Sequence, residues 1–100
     1  MPLSGKQCRY LRALGHHLNP IVQLGKSGLT DDVVAAVDAA LEKHELIKVR
    51  IGTECPEDRH KVSDRLVLSV KGDNAGVLGR TLLLYRKHPT EPKIRLPKPE

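Results

Sequence analysis

The chain contains no phenylalanine and no tryptophan, and Tyr10 and Tyr85 are its only aromatic residues. Single-strand binders that stack bases on exposed rings need aromatic platforms, so that mode of recognition has little to work with here. The core must instead be aliphatic, and 39% of the residues are hydrophobic, mostly Leu, Val, Ile and Ala. Cysteine is scarce as well: Cys8 and Cys55 stand far apart and form no Cys-x-x-Cys pair. No disulfide framework is expected, and both thiols are expected to be reduced in the cytoplasm. No apolar run approaches the roughly 18–20 residues of a membrane span. Lys6, Arg9 and Arg12 occupy the stretch where a secretory leader would be apolar. The expectation is a cytoplasmic monomer with no membrane contact.

Catalytic constellations are missing too. Gly25-Lys26-Ser27 has the look of a nucleotide-binding P-loop, but that motif needs a glycine five residues before its second glycine. Position 20 is Pro20. His16 and His17 with Cys8 fall short of a zinc set, which takes four ligands at tight spacing. No Ser-His-Asp or Cys-His arrangement can be argued from spacing. No enzyme activity, no catalytic residue, no cofactor and no metal are expected.

What the chain does have is positive charge. Its 100 residues carry 17 Lys and Arg against 12 acids, a net charge of +5. Such an excess favours a polyanionic partner. The length suits one domain.

Ser4, with Gln7 three residues on, has the spacing of a capping box, and Cys8, Leu11 and Leu14 continue a helical stripe. Gly15 stands where a helix C′ residue would. Asn19-Pro20 marks a turn, and Ile21 to Leu24 reads as a short strand. After Gly25-Lys26-Ser27-Gly28, Thr30 caps a second helix with Asp31 and Asp32 in its first turn. Val34, Val37, Ala40 and Leu41 form its buried stripe. Ile47-Lys48-Val49-Arg50-Ile51 alternates with period two, predicting a strand with one apolar face and one wet, basic face. Strand, helix and strand in succession predict a parallel βαβ unit. Pro56-Glu57-Asp58 starts a third helix on Val62, Leu66 and Val70. Residues 73–76 read as a loop, Val77 to Gly79 as a short strand, and Thr81 to Tyr85 as a central strand. The fold class is therefore α/β, in the order α-β-α-β-α-β-β. From about residue 88 the Pro-rich, basic tail is expected to be extended or partly disordered.

The sharpest motif is Leu24-Gly25-Lys26-Ser27-Gly28-Leu29. Two glycines allow close backbone approach, a helix start offers unpaired N–H groups, and Lys26 adds a full charge. This suits a backbone phosphate and does not read a base.

With this order and this loop, the chain resembles the CRM domain in its bacterial stand-alone, YhbY-like form. The matching words are Leu3-Ser4-Gly5-Lys6-Gln7, Leu18-Asn19-Pro20-Ile21-Val22, and the loop itself through Thr30. His44-Glu45-Leu46-Ile47-Lys48-Val49 and Gly79-Arg80-Thr81-Leu82-Leu83-Leu84-Tyr85-Arg86 complete them. For 58–71 the resemblance supplies no pattern, and the third helix rests on periodicity. The resemblance implies a four-stranded mixed sheet with three helices, similar to the C-terminal domain of a bacterial translation initiation factor. It implies one RNA-binding domain over residues 1–97, tail included. It also implies a GxxG loop flanked by large aliphatics, the places of Leu24 and Leu29, and carrying a basic residue, Lys26. Bacterial members associate with precursors of the large ribosomal subunit, so ribosomal RNA is the implied partner and ribosome biogenesis the implied process. The expected RNA-binding residues are Gly25, Lys26, Ser27 and Gly28, with Lys6, Arg9, Arg12, Lys48, Arg50 and Arg86 as further phosphate contacts. The alternative is a protein-interaction module that docks on a ribosomal protein or assembly factor.

Overall fold

Each helix starts on a side chain that satisfies its first backbone N–H groups. The structure, a computed structural model, describes residues 3–99. Met1 and Pro2, part of the expected 1–97 domain, lie outside the described residues. Helix α1 (Gly5–Gly15) opens with the expected capping box. The Gln7 N–H donates to the Ser4 hydroxyl at 3.1 Å, and the Ser4 N–H donates to the Gln7 side chain at 3.1 Å. Helix α2 (Asp31–His44) is capped by Thr30, whose hydroxyl accepts from the Val33 N–H at 3.2 Å. Helix α3 (Arg59–Val70) is capped by Asp58, which accepts from the N–H groups of His60 and Lys61. No helix among the described residues is long and apolar enough to cross a membrane.

Between these helices run β1 (Pro20–Leu24), β2 (Leu46–Ile51), β3 (Asp73–Leu78) and β4 (Thr81–Tyr85). They form a four-stranded sheet in the order β1-β2-β4-β3. β1 pairs with β2 in parallel, and β2–β4 and β4–β3 are antiparallel. β4 is thus central, as its apolar run predicts. β3 is longer than expected, because residues 73–76 are strand and not loop. They pair with Leu83 to Tyr85 across an irregularity between Asn74 and Gly76. Local composition argued for a loop, and the antiparallel partner overrode it.

The sheet has two apolar faces. On one, Val37 and Leu41 of α2 and Val62, Leu66 and Val70 of α3 pack on Leu24, Ile47, Val49, Ile51, Leu82 and Leu84. On the other, Leu11 of α1 packs on Leu46, Ala75, Leu83 and Tyr85, with Ile94 and Leu96 of the tail against them. The expectation of one covered and one wet face is therefore corrected. α1 and the tail cover part of the second face, leaving Lys48 half-buried and Arg50 exposed. Gly15 is corrected as well: it is the last helical residue, and His16 after it is still αR. A Cβ on Gly15 would stand 2.8 Å from Leu83 Cδ1, so its task is to let α1 lie close on β4.

The tail, expected to be extended or partly disordered, forms no helix or strand among the described residues and is held by hydrogen bonds. Glu45, only 2% exposed, turns the chain from α2 into β2 with φ 64°. Its carboxylate accepts from the backbone N–H groups of His88 (3.1 Å), Lys93 and Ile94 (3.1 Å). Farther along, the Gln7 amide donates to the Pro97 carbonyl at 3.0 Å. Burial pushes the Glu45 carboxyl up, but the three donated N–H bonds and nearby His88 outweigh it. They hold the group below its ordinary value of 4.5. Stability from this clasp is therefore present above that value and is lost as pH falls through the lower folded-state pKa.

Glu45→Ala should cost about 2 kcal/mol, the scale of hydrogen bonds to a charged group. It should also speed amide exchange at His88, Lys93 and Ile94. In the parent chain the same amides should lose protection on acidification below the ordinary carboxyl value, and Glu45→Gln should blunt that dependence. Slow exchange at these amides in Glu45→Ala would mean the carboxylate does not hold the tail.

Candidate functional site

Parallel pairing decides what meets what. Gln23 of β1 lies beside Arg50 of β2, and Leu24 beside Ile51. The loop 25–28 after β1 and the loop 52–58 after β2 therefore leave the same end of the sheet. The Gly52 N–H donates to the Leu24 carbonyl at 2.8 Å and ties the two together. Arg50 pairs with Thr81 at the start of β4, so the 79–80 turn joins the same end. Lys26, Arg50 and Arg80 are gathered there from three separate stretches of sequence.

The Gly25–Gly28 segment is a tight turn closed by the Gly28 N–H on the Gly25 carbonyl at 3.0 Å. Gly28 is buried with φ +67°, a left-handed conformation that L side chains rarely adopt. Gly25 has no such requirement, and a Cβ on it would meet nothing within 4 Å. Of the loop amides, that of Gly28 is used within the turn. The Leu29 N–H is taken by the Glu57 carboxylate at 2.8 Å. The N–H groups of Lys26 and Ser27 make no hydrogen bond among the described residues, and both residues are exposed. An anion has those two amides and the Lys26 ammonium to meet. Asp31 and Asp32 are exposed in the first turn of α2.

Glu57 is a residue that sequence reading missed. It was legible only as part of a helix start. Folding places its carboxylate against Leu29, and its other oxygen pairs with Arg65. Arg80 was missed too, although it stands inside a recognised word. Its guanidinium donates to the carbonyls of Ile51 (3.0 Å) and Gly52 (2.8 Å), bracing the loop beside the glycine turn. No spacing in the chain signals either contact, because both depend on the sheet order.

From this end the basic surface continues onto the sheet face that carries α1. Lys48 and Arg50 alternate with Ile47, Val49 and Ile51, which are buried under α2 and α3. Lys48 lines a small hollow with Arg12 and His16 of α1's last turn and its cap. Among the described residues, no carboxylate lies within 4 Å of Lys26, Lys48, Arg50 or Arg12. Lys6 is exposed on α1's first turn, next to Gln7, which holds the tail. Arg9 is exposed one turn on. Neither is drawn to the glycine turn.

Arg86 departs from expectation. It follows the far end of β4, opposite the end that bears Lys26. Its guanidinium donates to Asp38 Oδ1 (2.6 Å), the Val70 carbonyl (2.8 Å), the Asp38 carbonyl (3.0 Å) and Glu42 Oε2 (3.3 Å). The side chain is 18% exposed. Those contacts join α2 to the end of α3 and leave Arg86 no open fork toward a phosphate. Cys8 and Cys55 are free, partly buried thiols.

The model of the CRS1 / YhbY (CRM) domain matches residues 3–86. "Probable RNA-binding protein YqeI" of Bacillus subtilis is 40% identical over 95 residues, covering 95% of this chain and 99% of that protein. A protein of Haemophilus influenzae named "RNA-binding protein" is 42% identical over 96 residues, covering 96% of each. The solution structure of the hypothetical protein SAV1595 of Staphylococcus aureus superposes with a TM-score of 0.82 at 35% identity. It covers 95% of this chain and 99% of its own.

The two glycines of the turn should respond differently to alanine. Gly28→Ala places a Cβ 2.6 Å from Glu57 Oε1 on a left-handed residue. It should destabilise by about 1–2 kcal/mol. Gly25→Ala should stay within about 0.5 kcal/mol of the parent. Denaturant melts of the two variants check this, and equal stabilities would contradict the geometry of the turn.

Proposed function

The chain belongs to the CRS1/YhbY (CRM) domain family, and on that premise we propose that it binds RNA by its sugar–phosphate backbone. The expected partner is ribosomal RNA of the large-subunit precursor, with the chain serving as a cytoplasmic, non-catalytic assembly factor. One observation carries the reading: Lys26, Arg50, Lys48 and Arg12 lie along one end and one face of the sheet without carboxylate partners among the described residues. Cations left unpaired on a folded surface are available to a polyanion, whereas those in ion pairs are already neutralised.

Two adjacent open amides and a lysine at the glycine turn suit one phosphate oxygen cluster. Arg50 and Lys48 stand two residues apart on one strand face and so offer successive contacts along β2. Arg12 and His16 approach from α1. These groups contact phosphate and sugar, so affinity should depend steeply on salt and weakly on base sequence. The relatives' names support RNA as the partner class. Arg86 is left out of the interface, because its fork is committed to Asp38 and Glu42.

Filter binding of the full chain to bare ribosomal RNA across a salt series tests the proposal. Lys26→Ala and Arg50→Ala should each lower the magnitude of the log–log salt slope by about 0.7–0.9, one counterion's worth. Both should melt at the parent temperature. Arg86→Ala should do the reverse, melting earlier while keeping the parent slope. Unchanged affinity of Lys26→Ala at low salt would remove the glycine turn from the interface. No binding by the parent chain at low salt would reject RNA as the direct partner.

A further inference from the structure

The basic face borders an apolar groove that the phosphate contacts leave unused. Its walls are Leu14 near the end of α1, Leu18 in the connection that follows, Ile21 on β1 and Leu46 on β2, with Ile94 of the clasped tail also lining it. Leu14, Leu18 and Ile21 are 41%, 38% and 51% exposed, large values for aliphatic residues brought together in one place. The groove has a volume of about 540 Å³, and its polar lining groups include His17, Asn19 and His44.

Its position matters more than its size. Ile21 and Gln23 alternate on β1 with the half-buried Val22 and point to the same face as Arg50. From Ile21 to Gly25 the chain spans four residues, about 13 Å of extended strand. Leu46 precedes Lys48 by two residues on the same face of β2. The last turn of α1 stands between groove and hollow: Leu14 and His17 line the groove, and Gly15 and His16 line the hollow with Lys48. A strand of RNA whose phosphates run from Lys26 past Arg50 to Lys48 therefore passes the groove's rim.

We propose that this groove takes an unstacked base of single-stranded RNA held by those phosphate contacts. The inference rests on the RNA-binding reading above and adds a base site to it. Aliphatic walls bury a base face without an aromatic partner, while ring nitrogens of His17 and His44 and the Asn19 amide meet its polar edge. The neighbouring cations fit the charge of the attached backbone, so the occupant is a nucleotide and not an acid-free apolar segment.

The test is fluorescence anisotropy of the full chain with two labelled oligoribonucleotides of equal length, one of ordinary bases and one carrying abasic residues. Leu18→Ser/Ile21→Thr should bind the ordinary strand about tenfold more weakly than the parent, with an unchanged salt slope. It should bind the abasic strand as the parent does. Should the double variant melt early, Leu14→Gln alone carries the same comparison. Parent-like affinity of the groove variants for the ordinary strand would overturn the base site, and would instead favour a protein segment in the groove. An equal loss on both strands would overturn it too, since it would show a change in backbone contact. In either case, intact sensitivity to Lys26→Ala would leave the phosphate reading standing, whereas no binding of either strand by the parent would end both.

Discussion

Parallel pairing of β1 with β2 is the constraint from which the surface follows. A parallel neighbour cannot be reached by a hairpin, so the chain must cross over through α2. The crossover begins at the glycine turn and ends at Glu45, which places a tight, N–H-bearing turn at one end of the sheet and a sharp bend at the other. Register then sets Gln23 beside Arg50. A slip of one residue would turn Arg50 and Lys48 into the core and bring Ile47, Val49 and Ile51 out. Burial of those three aliphatics under α2 and α3 therefore fixes the outward direction of the two cations. The position of the basic face is thus a consequence of packing on the opposite face.

Carboxylates explain why that face is positive. A net charge of +5 on a small chain does not by itself make a patch, since 12 acids are enough to neutralise most of the cations. The fold draws key acids elsewhere. Asp38 and Glu42 hold Arg86 at the far end, and Glu45 is buried on the backbone of the tail. Glu57 is the exception that sits close to the glycine turn, where it braces Leu29 and is itself paired with Arg65. That pairing offsets the charge it brings near the glycine turn. All four of these acids accept from backbone N–H groups or from an arginine, so the same interactions that order loops and tail engage them away from Lys26, Lys48, Arg50 and Arg12.

The sequence made the helices and the two strands of the βαβ unit legible because each carried its own local signal. Ser4 with Gln7, Thr30 with its acids, and the alternation from Ile47 to Ile51 all act over a few residues. Residues 73–76 gave no such signal, since their strand exists only through pairing with β4. The glycine turn was visible as a motif, but composition could not distinguish Gly28, which needs a left-handed backbone, from Gly25, which does not. Arg86 looked like another surface cation because nothing local says that Asp38 and Glu42 will stand opposite it. Glu57, Arg80 and Glu45 act over 28, 29 and 43 residues of separation, respectively. Contacts of that range become readable only once sheet order is known.

The scarcity of aromatic rings finally bears on how such a surface can discriminate. Phosphate contacts hold any sequence alike, and a chain with two tyrosines, one of them buried, has little stacking energy to add base by base. Discrimination then has two physical sources left: the shape of the RNA, and burial of a base against aliphatic side chains. The first is limited by the rigidity of the surface, which here is set by the Glu57 brace and the Glu45 clasp. The second needs apolar side chains held open to solvent beside the cations, an arrangement unfavourable in water and so retained only where neighbouring packing enforces it. Gly15 supplies that enforcement. By letting α1 settle on Leu83, it ends the helix close over the sheet, and Leu14 and Leu18 are left partly exposed at the edge of the groove. The same close approach that completes the second core thus creates the exposed apolar rim next to Lys48.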